Sequence, residues 1–355
     1  MVENIVIATP ALNSVLVHIV SYNHADVLAP ALTALARTRG ITYEIRITDN
    51  ASSDLSSEVA RRFHITPTVL PRNIGFCGGH NSIIAEFIAS SHQFLCLLNP
   101  DVALSETCLA ELAAHCSDMA TPKLLRGDAS LHAIKPARID AAGMILTAAL
   151  RHFDRGSQQL DCELFSRPAK VFGGTGACLM LSKKTVNALI LPDTPFDDSL
   201  ELIHQGLAEA SCRRMKLFDE GFFAYRDDAE LAWRAQRLGL VCQYVPTALA
   251  VHKRAVLPEN RSELPAFINY LSVRNRFLLQ LNHFSFAYTA AILPGFLFRN
   301  ILVIFATLLK ERSSLRAFKD LFALRKRAFF LRNWITANSA LPDAKVARWL
   351  TQESE

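Results

Sequence analysis

The run Phe94-Leu95-Cys96-Leu97-Leu98 is apolar at every position and stops at Asn99-Pro100-Asp101. A strand with one wet face alternates polar and apolar side chains. A strand apolar throughout has both faces covered, as in a parallel sheet wrapped by helices. The run therefore reads as a central strand that delivers one carboxylate, Asp101, to the sheet edge.

The rest of the first hundred residues supplies its neighbours. Val15 to Val20 is a β-rich run ending at Ser21-Tyr22-Asn23, and a helical stretch from about Val27 to Arg37 follows before Gly40. Tyr43 to Thr48 reads as a second strand, the Asp49 to Asp54 turn leads into a helix reaching about Phe63, and Thr68-Val69-Leu70 is a third, short strand. The glycine-rich segment Arg72 to His80 then precedes a helix from Asn81 to Ser90, with Ile83, Ile84, Phe87 and Ile88 on one face. Strand and helix alternate, which predicts an α/β fold with a mostly parallel, doubly wound central sheet and flanking helices. Thr121 to Lys170 mixes loops and short strands and is expected to shape an acceptor side. Ala177 to Leu181 and Val241 to Val245 read as strands, and Lys183 to Leu189 and Asp227 to Leu238 as helices. Asp193 to Lys216 is a polar insertion.

At 355 residues, half of them hydrophobic, the chain can bury a large core, which excludes intrinsic disorder. The net charge of +5 is modest, and no nucleic-acid partner is expected. Its basic character is concentrated from Arg299 onward, densest at Arg325-Lys326-Arg327. Phe284 to Leu309 is the most hydrophobic stretch, but Pro294, Arg299 and Asn300 interrupt it, so an interfacial region on a membrane surface is expected rather than a transmembrane helix. Eight cysteines without a Cys-x-x-Cys pair or zinc spacing suggest reduced thiols in a cytosolic protein. Met-Val-Glu brings no basic region ahead of Val15, so a first strand is expected there rather than a signal peptide. The expected location is cytoplasmic and peripheral, on the inner face of the plasma membrane.

Three acidic clusters follow hydrophobic segments. Asp49 can accept a hydrogen bond from a nucleotide base, with Ser21, Tyr22 and Asn23 lining the same pocket; equally, Asp49-Asn50 can form an Asx turn capping the next helix. Asp101 can hold Mg²⁺ or Mn²⁺ through a donor diphosphate, with His252 as a second ligand; such hard cations keep water and phosphate ligands, so one or two protein groups suffice. Asp227, Asp228 and Glu230 open a helix, where the macrodipole favours acids, and Glu230 can pair with Arg234. A carboxylate there can also take the proton of an attacking hydroxyl. Gly75, Gly78 and Gly79 permit close approach to a phosphate, or a tight turn; neither they nor Gly173-Gly174-Thr175-Gly176 match a Walker or dinucleotide fingerprint. Trp233 and the aromatics before Asp227 can stack on a sugar or fill core.

Val17 to Asn23, Asp49 to Asp54, Asn73-Ile74-Gly75-Phe76, Leu98 to Asp101, Gly173 to Ala177, Phe218 to Phe223 and Tyr270 to Arg276 together resemble the inverting family 2 glycosyltransferases of the GT-A fold, in particular a rhamnosyltransferase-like branch. The resemblance implies a GT-A catalytic domain over 13–265 and a basic helical region over 266–355. It implies base binding by Asp49 with Asn50, Asn73 and Gly75 nearby, metal and diphosphate at Asp101, and Asp228 as general base. Gly174, Thr175, Asp227, Trp233, Arg274 and Arg276 would serve acceptor or diphosphate. The implied donor is dTDP-rhamnose or a UDP-sugar and the implied acceptor a glycan or lipid-linked glycan of a cell-surface polysaccharide. Where the family carries Glu-Asp, this chain has Asp227-Asp228, so a non-catalytic nucleotide-sugar-binding or scaffold protein is the alternative. A nucleotidylyltransferase is disfavoured, because no glycine-rich segment with Arg and Lys follows the first strand.

Overall fold

The computed structural model describes residues 14–349 apart from 148–149, 204–206, 208–214, 255–264, 310, 343–344 and 347–348. Its parallel half is built from β1 (Ser14–Ser21), β2 (Thr42–Asp49), β3 (Thr68–Val69) and β4 (Phe94–Leu98), with α1 (Ala25–Leu35) and α2 (Ser56–Arg62) between them. Every residue of β1 and β4 is buried, as the uninterrupted apolar run requires. The segment that follows Asp101 folds into β5 (Val102–Leu104), α5 (Cys108–His115), β6 (Met119–Arg126), β7 (Ile139–Ala141), β8 (Met144–Leu146), β9 (His152–Asp154) and β10 (Ala169–Val171). β11 (Cys178–Ser182) and β12 (Cys242–His252) complete the sheet in the order β10-β12-β6-β11-β4-β1-β2-β3.

The α/β expectation holds, and the fold is GT-A-like with a mixed sheet. β11 runs antiparallel between β4 and β6, and β12 returns parallel to β6 while pairing antiparallel with β5 and β10. β12 is longer than the five residues expected from sequence. Its register shifts between Val245 and Leu249, around Pro246, where proline cannot donate to the ladder. Because of this continuation, His252 ends the strand and faces the β4–β5 connection instead of lying beyond it.

The glycine-rich segment is not a loop. Gly75–Asn81 forms α3, followed by α4 (Ile84–Ala89). A Cβ on Gly79 would stand 2.6 Å from a Val20 methyl, so this glycine lets α3 lie directly on β1. The segment thus has a packing use where close phosphate approach was one of two expectations.

α6 (Lys183–Leu189), α7 (Asp227–Arg237), α8 (Ala266–His283) and α10 (Arg316–Ala337) contribute to one core on one side of the sheet, while α9 (Phe286–Leu309) buries only Phe296 in it among its described side chains. Leu271, Leu278 and Leu279 of α8 and Ala317, Leu324 and Ala328 of α10 share a core with Phe218, Phe222 and Trp233. Among the described residues, Ile292–Leu309 is the one stretch long and apolar enough to cross a membrane, and only 17% of it is buried. The seven described cysteines are unpaired; Cys212 lies outside the described residues, as does much of the expected insertion.

Candidate active site

The carboxyl ends of β1 and β2 come together. Oδ1 of Asn23 accepts from the Ser53 amide (2.8 Å), the Asn23 amide donates to Oγ of Ser52 (3.0 Å), and the Asn50 amide donates to the Ser21 carbonyl (2.8 Å). This stitched rim carries Ser21, Tyr22, Asn23 and Asp49 at one place. Tyr22 is exposed, and the buried Oγ of Ser21 has no hydrogen-bond partner. Oδ1 of Asp49 accepts from the Ser52 amide (2.7 Å) and Oδ2 from the Ser57 hydroxyl, which is the Asx-turn arrangement.

Three residues expected beside the nucleotide serve the protein instead. Asn50 is buried, its Oδ1 accepting from the Ile74 amide (2.9 Å) and its Nδ2 donating to the Gly75 carbonyl (3.0 Å), which leaves nothing aimed at a ligand. Oδ1 of Asn73 accepts from the Gly75 amide (2.8 Å). Gly75 has φ +77°, and a Cβ there would sit 2.3 Å from the Phe223 carbonyl. The Cys77 amide, in the first turn of α3, donates to that same carbonyl (3.1 Å). A protein turn therefore occupies the place proposed for phosphate.

Asp101 follows β4 at the sheet edge. Its Oδ1 is buried without a hydrogen bond, and Nε2 of His252 stands 3.4 Å away. Nδ1 of His252 bonds Oδ2 of Asp140 (2.7 Å), the outer-shell carboxylate that orients a histidine for metal binding. Burial opposes the charged imidazole, but Asp101 and Asp140 outweigh it and raise His252 to about 9. The described residues contain no group of three acidic, histidine or cysteine side chains placed to hold a metal. Mg²⁺ or Mn²⁺ would fit here by taking the place of the proton that His252 Nε2 holds against Oδ1 of Asp101, with water and phosphate as its other ligands.

The network continues away from Asp101. Arg254 bridges Asp140 (3.2 Å) and Asp154 on β9 (2.5 Å), and Asp154 is in turn a charge felt by Asp228. No local sequence pattern marks Asp140, Asp154 or Arg254. They lie on segments without a motif, and the pairing of β7 with β6, the pairing of β9 with β8 and the full length of β12 bring them to the site.

Asp227 and Asp228 open α7 after an unusual turn. Phe223, Tyr225 and Arg226 have φ of 65°, 68° and 65°, and the Ala224 amide donates to the Phe222 carbonyl (2.8 Å) in a γ-turn. Positive φ at non-glycine residues costs on the order of 1–3 kcal/mol each and persists only where neighbours enforce it. Arg274 and Asn275 of α8 do so. Nη2 of Arg274 donates to the carbonyls of Gly221 (2.9 Å) and Phe222 (2.8 Å), and Nδ2 of Asn275 reaches those of Phe222 (2.9 Å), Ala224 (2.7 Å) and Tyr225 (2.8 Å).

These contacts correct further expectations. Arg274 is fully buried on backbone carbonyls and Tyr270, so it props the turn and does not reach a diphosphate. Trp233 is buried and stacked on His283 at 5.0 Å, a core role that leaves no face for a sugar. Gly174 and Thr175 are buried. Their loop serves through Gly176, whose amide donates to Oδ2 of Asp228 (3.2 Å).

Asp228 is partly exposed, whereas Asp227 is buried. Burial and the adjacent Asp228 push Asp227 well above the carboxylate range; burial and Asp154 raise Asp228, opposed by the Gly176 and Ala229 amides and by Arg254. Both carboxyls thus hold a proton more readily than a solvated carboxylate does. A base must be ionised to act, so activity is lost as pH falls through the raised value of Asp228. Asp154→Asn removes a like charge and is expected to move the acid limb of the kcat/KM profile to lower pH. An unmoved limb would rule out this electrostatic link.

Residues 16–126 match the sequence model of the family described as Glycosyl transferase family 2. No curated protein matches the chain by sequence. Among solved structures, GalNAc-T7 with UDP, GalNAc and Mn²⁺ is 12% identical with a TM-score of 0.53, over 76% of this chain and 48% of that one. The chain thus spans about half of that protein's length. TarS 1–349 of S. aureus with UDP-GlcNAc is 14% identical over 95% of this chain and 89% of that one, with a TM-score of 0.45. The mannosyltransferase PcManGT of Pyrobaculum calidifontis with GDP-Man and Mn²⁺ is 12% identical over 95% and 83%, with a TM-score of 0.42.

Proposed function

We propose that the chain is an inverting glycosyltransferase that moves a sugar from a nucleoside diphosphate sugar to a glycan or lipid-linked acceptor. The observation that carries this reading is the partly exposed Asp228 at the start of α7, held by the Gly176 amide, with its affinity for protons raised by burial and by Asp154. Such a carboxylate suits proton removal from an acceptor hydroxyl. The hydroxyl oxygen bonds the anomeric carbon, the bond from that carbon to the diphosphate oxygen breaks, and the proton passes to Asp228. The family match over the first sheet half supports a nucleotide at the β1 and β2 ends, with Ser21, Tyr22, Asn23 and Asp49 on its rim.

Asp101 and His252 would hold the divalent cation, which when bound offsets charge on the departing diphosphate. Rhamnose is the favoured sugar on the Asn99-Pro100-Asp101 form, and the setting is surface-polysaccharide synthesis on the cytoplasmic face of the plasma membrane. Residues 13–265 would form the catalytic domain, with the basic helices after 266 resting on the membrane.

The test is nucleoside diphosphate release from dTDP-, UDP- and GDP-sugars with Mg²⁺, Mn²⁺ or EDTA. One donor should give metal-dependent release. Asp101→Ala is expected to weaken that donor's metal-dependent binding by at least the roughly tenfold to hundredfold that loss of an outer-shell partner alone costs. A metal response unchanged in Asp101→Ala would remove Asp101 from this role, and absence of both release and binding for every donor would overturn the enzyme reading.

A further inference from the structure

Arg276 is only 4% exposed, and its Nη2 makes no hydrogen bond. Its Nε donates to Oδ1 of Asn300 (3.2 Å), and Gln280 fixes that amide by exchanging two hydrogen bonds with it (3.0 and 3.3 Å). Among the described residues no carboxylate pairs with Arg276 or with Arg299, whose buried Nε also lacks a partner. Burial and the charges of Arg151 and Arg299 lower Arg276 to about 10, so it stays charged at neutral pH. Two neighbouring guanidinium groups, each with a buried nitrogen that makes no hydrogen bond and neither with a described carboxylate partner, form an unfavourable arrangement unless a ligand completes it.

The surroundings indicate the ligand. Arg299 lies on α9 between exposed apolar side chains, with Phe298 64%, Ile301 50% and Phe305 58% accessible. Toward the candidate active site, His152 is driven well below its ordinary value by burial and by Arg226, Arg151, Arg254 and Arg276, so it adds no charge of its own. Two residues on, Asp154 meets Arg254 and influences Asp228. The cations thus lie between an apolar helix face and the edge of the reacting centre. Guanidinium groups recognise phosphate oxygens by paired, charge-assisted hydrogen bonds.

We propose that Arg276 and Arg299 bind the phosphate group of a membrane-held lipid whose apolar chain lies on the exposed face of α9. Calling that lipid the sugar acceptor rests on the glycosyl-transfer reading; the phosphate site itself does not.

The test is flotation of the full chain with phosphatidylcholine vesicles carrying either phosphatidic acid, a phosphate monoester, or phosphatidylserine at matched net charge. We expect about fivefold stronger partition to phosphatidic acid, lost in Arg276→Gln and in Arg299→Gln, as bidentate phosphate recognition requires. Arg299 gives up no described partner on substitution, so its variant should fold normally, as a thermal melt would verify. Lys326→Gln, on exposed α10 surface, should lower both partitions alike, as a general electrostatic attraction does. Equal partition of wild type to the two anionic vesicles, or a preference that survives both arginine substitutions, would overturn the proposal. Loss of the preference on adding a nucleoside diphosphate sugar would also overturn it by assigning the cluster to the donor. An arginine-dependent preference in a protein that turns over no donor upholds the phosphate site and sinks the transfer reading alone.

Discussion

Asp228→Asn is expected to lower kcat for glycosyl transfer by about 10²–10⁴-fold, the range associated with loss of a positioned general base, while the protein stays folded and binds donor. The amide has nearly the same shape. Asp228 accepts from the Gly176 amide through Oδ2 and from the Ala229 amide through Oδ1; an asparagine oxygen can keep only one of these bonds. That loss costs on the order of 1 kcal/mol and is offset by relief of the charge that crowds Asp227. Steady-state kinetics with saturating acceptor, alongside donor titration by calorimetry, separates chemistry from binding. Transfer at the wild-type rate would mean that another group takes the proton. Loss of donor binding together with rate would instead make Asp228 a structural support of the site.

The largest effect on stability is expected at Arg327, far from Asp228 in sequence and in role. Its guanidinium is buried, with Nε on Oδ1 of Asp197 (2.8 Å) and Nη1 on Asp219. Asp219, also buried, accepts from the Gly221 amide (2.8 Å) and from Nδ2 of Asn282 (3.0 Å), so one carboxylate ties α10 and α8 to the turn that presents the base. Arg327→Met removes the counter-charge and leaves Asp219 buried, a change of about 3–5 kcal/mol for a broken buried pair. Asp197 suffers less, because Lys216 remains on it at 2.6 Å. The urea midpoint should fall accordingly. In the double variant with Asp219→Asn much of the loss should return, since no uncompensated charge remains. A single variant as stable as wild type would show that the pair contributes nothing net.

Much of the framework was legible locally. Burial on both faces follows from an apolar run such as Phe94 to Leu98, and the ends of β1, β2 and β4 follow from where their hydrophobic periods stop at Ser21, Asp49 and Asn99. These are short-range properties, carried by side-chain period and turn chemistry. Asp228 was legible for the same reason, as an acid in the first turn of a well-marked helix. The glycines from 75 to 79 were less so, because a glycine that admits a ligand and one that admits a neighbouring strand look alike until Val20 and Phe223 are in place.

The amino-acid sequence by itself determined the α/β order of the first hundred residues, the strand that delivers Asp101 and the helix that begins with Asp227 and Asp228. Tertiary structure alone decided which groups act together. The insertion of β11 between β4 and β6, and the unbroken course of β12 past Pro246, bring Asp140, His252, Arg254 and Asp154 into one chain of charges. α8 alone decides that Arg274 holds a strained turn while Arg276, two residues on, is buried with no carboxylate partner among the described residues. The physical reason is range. Period and capping act over a few residues, whereas protonation, ion pairing and satisfaction of buried polar atoms depend on side chains tens to hundreds of residues apart.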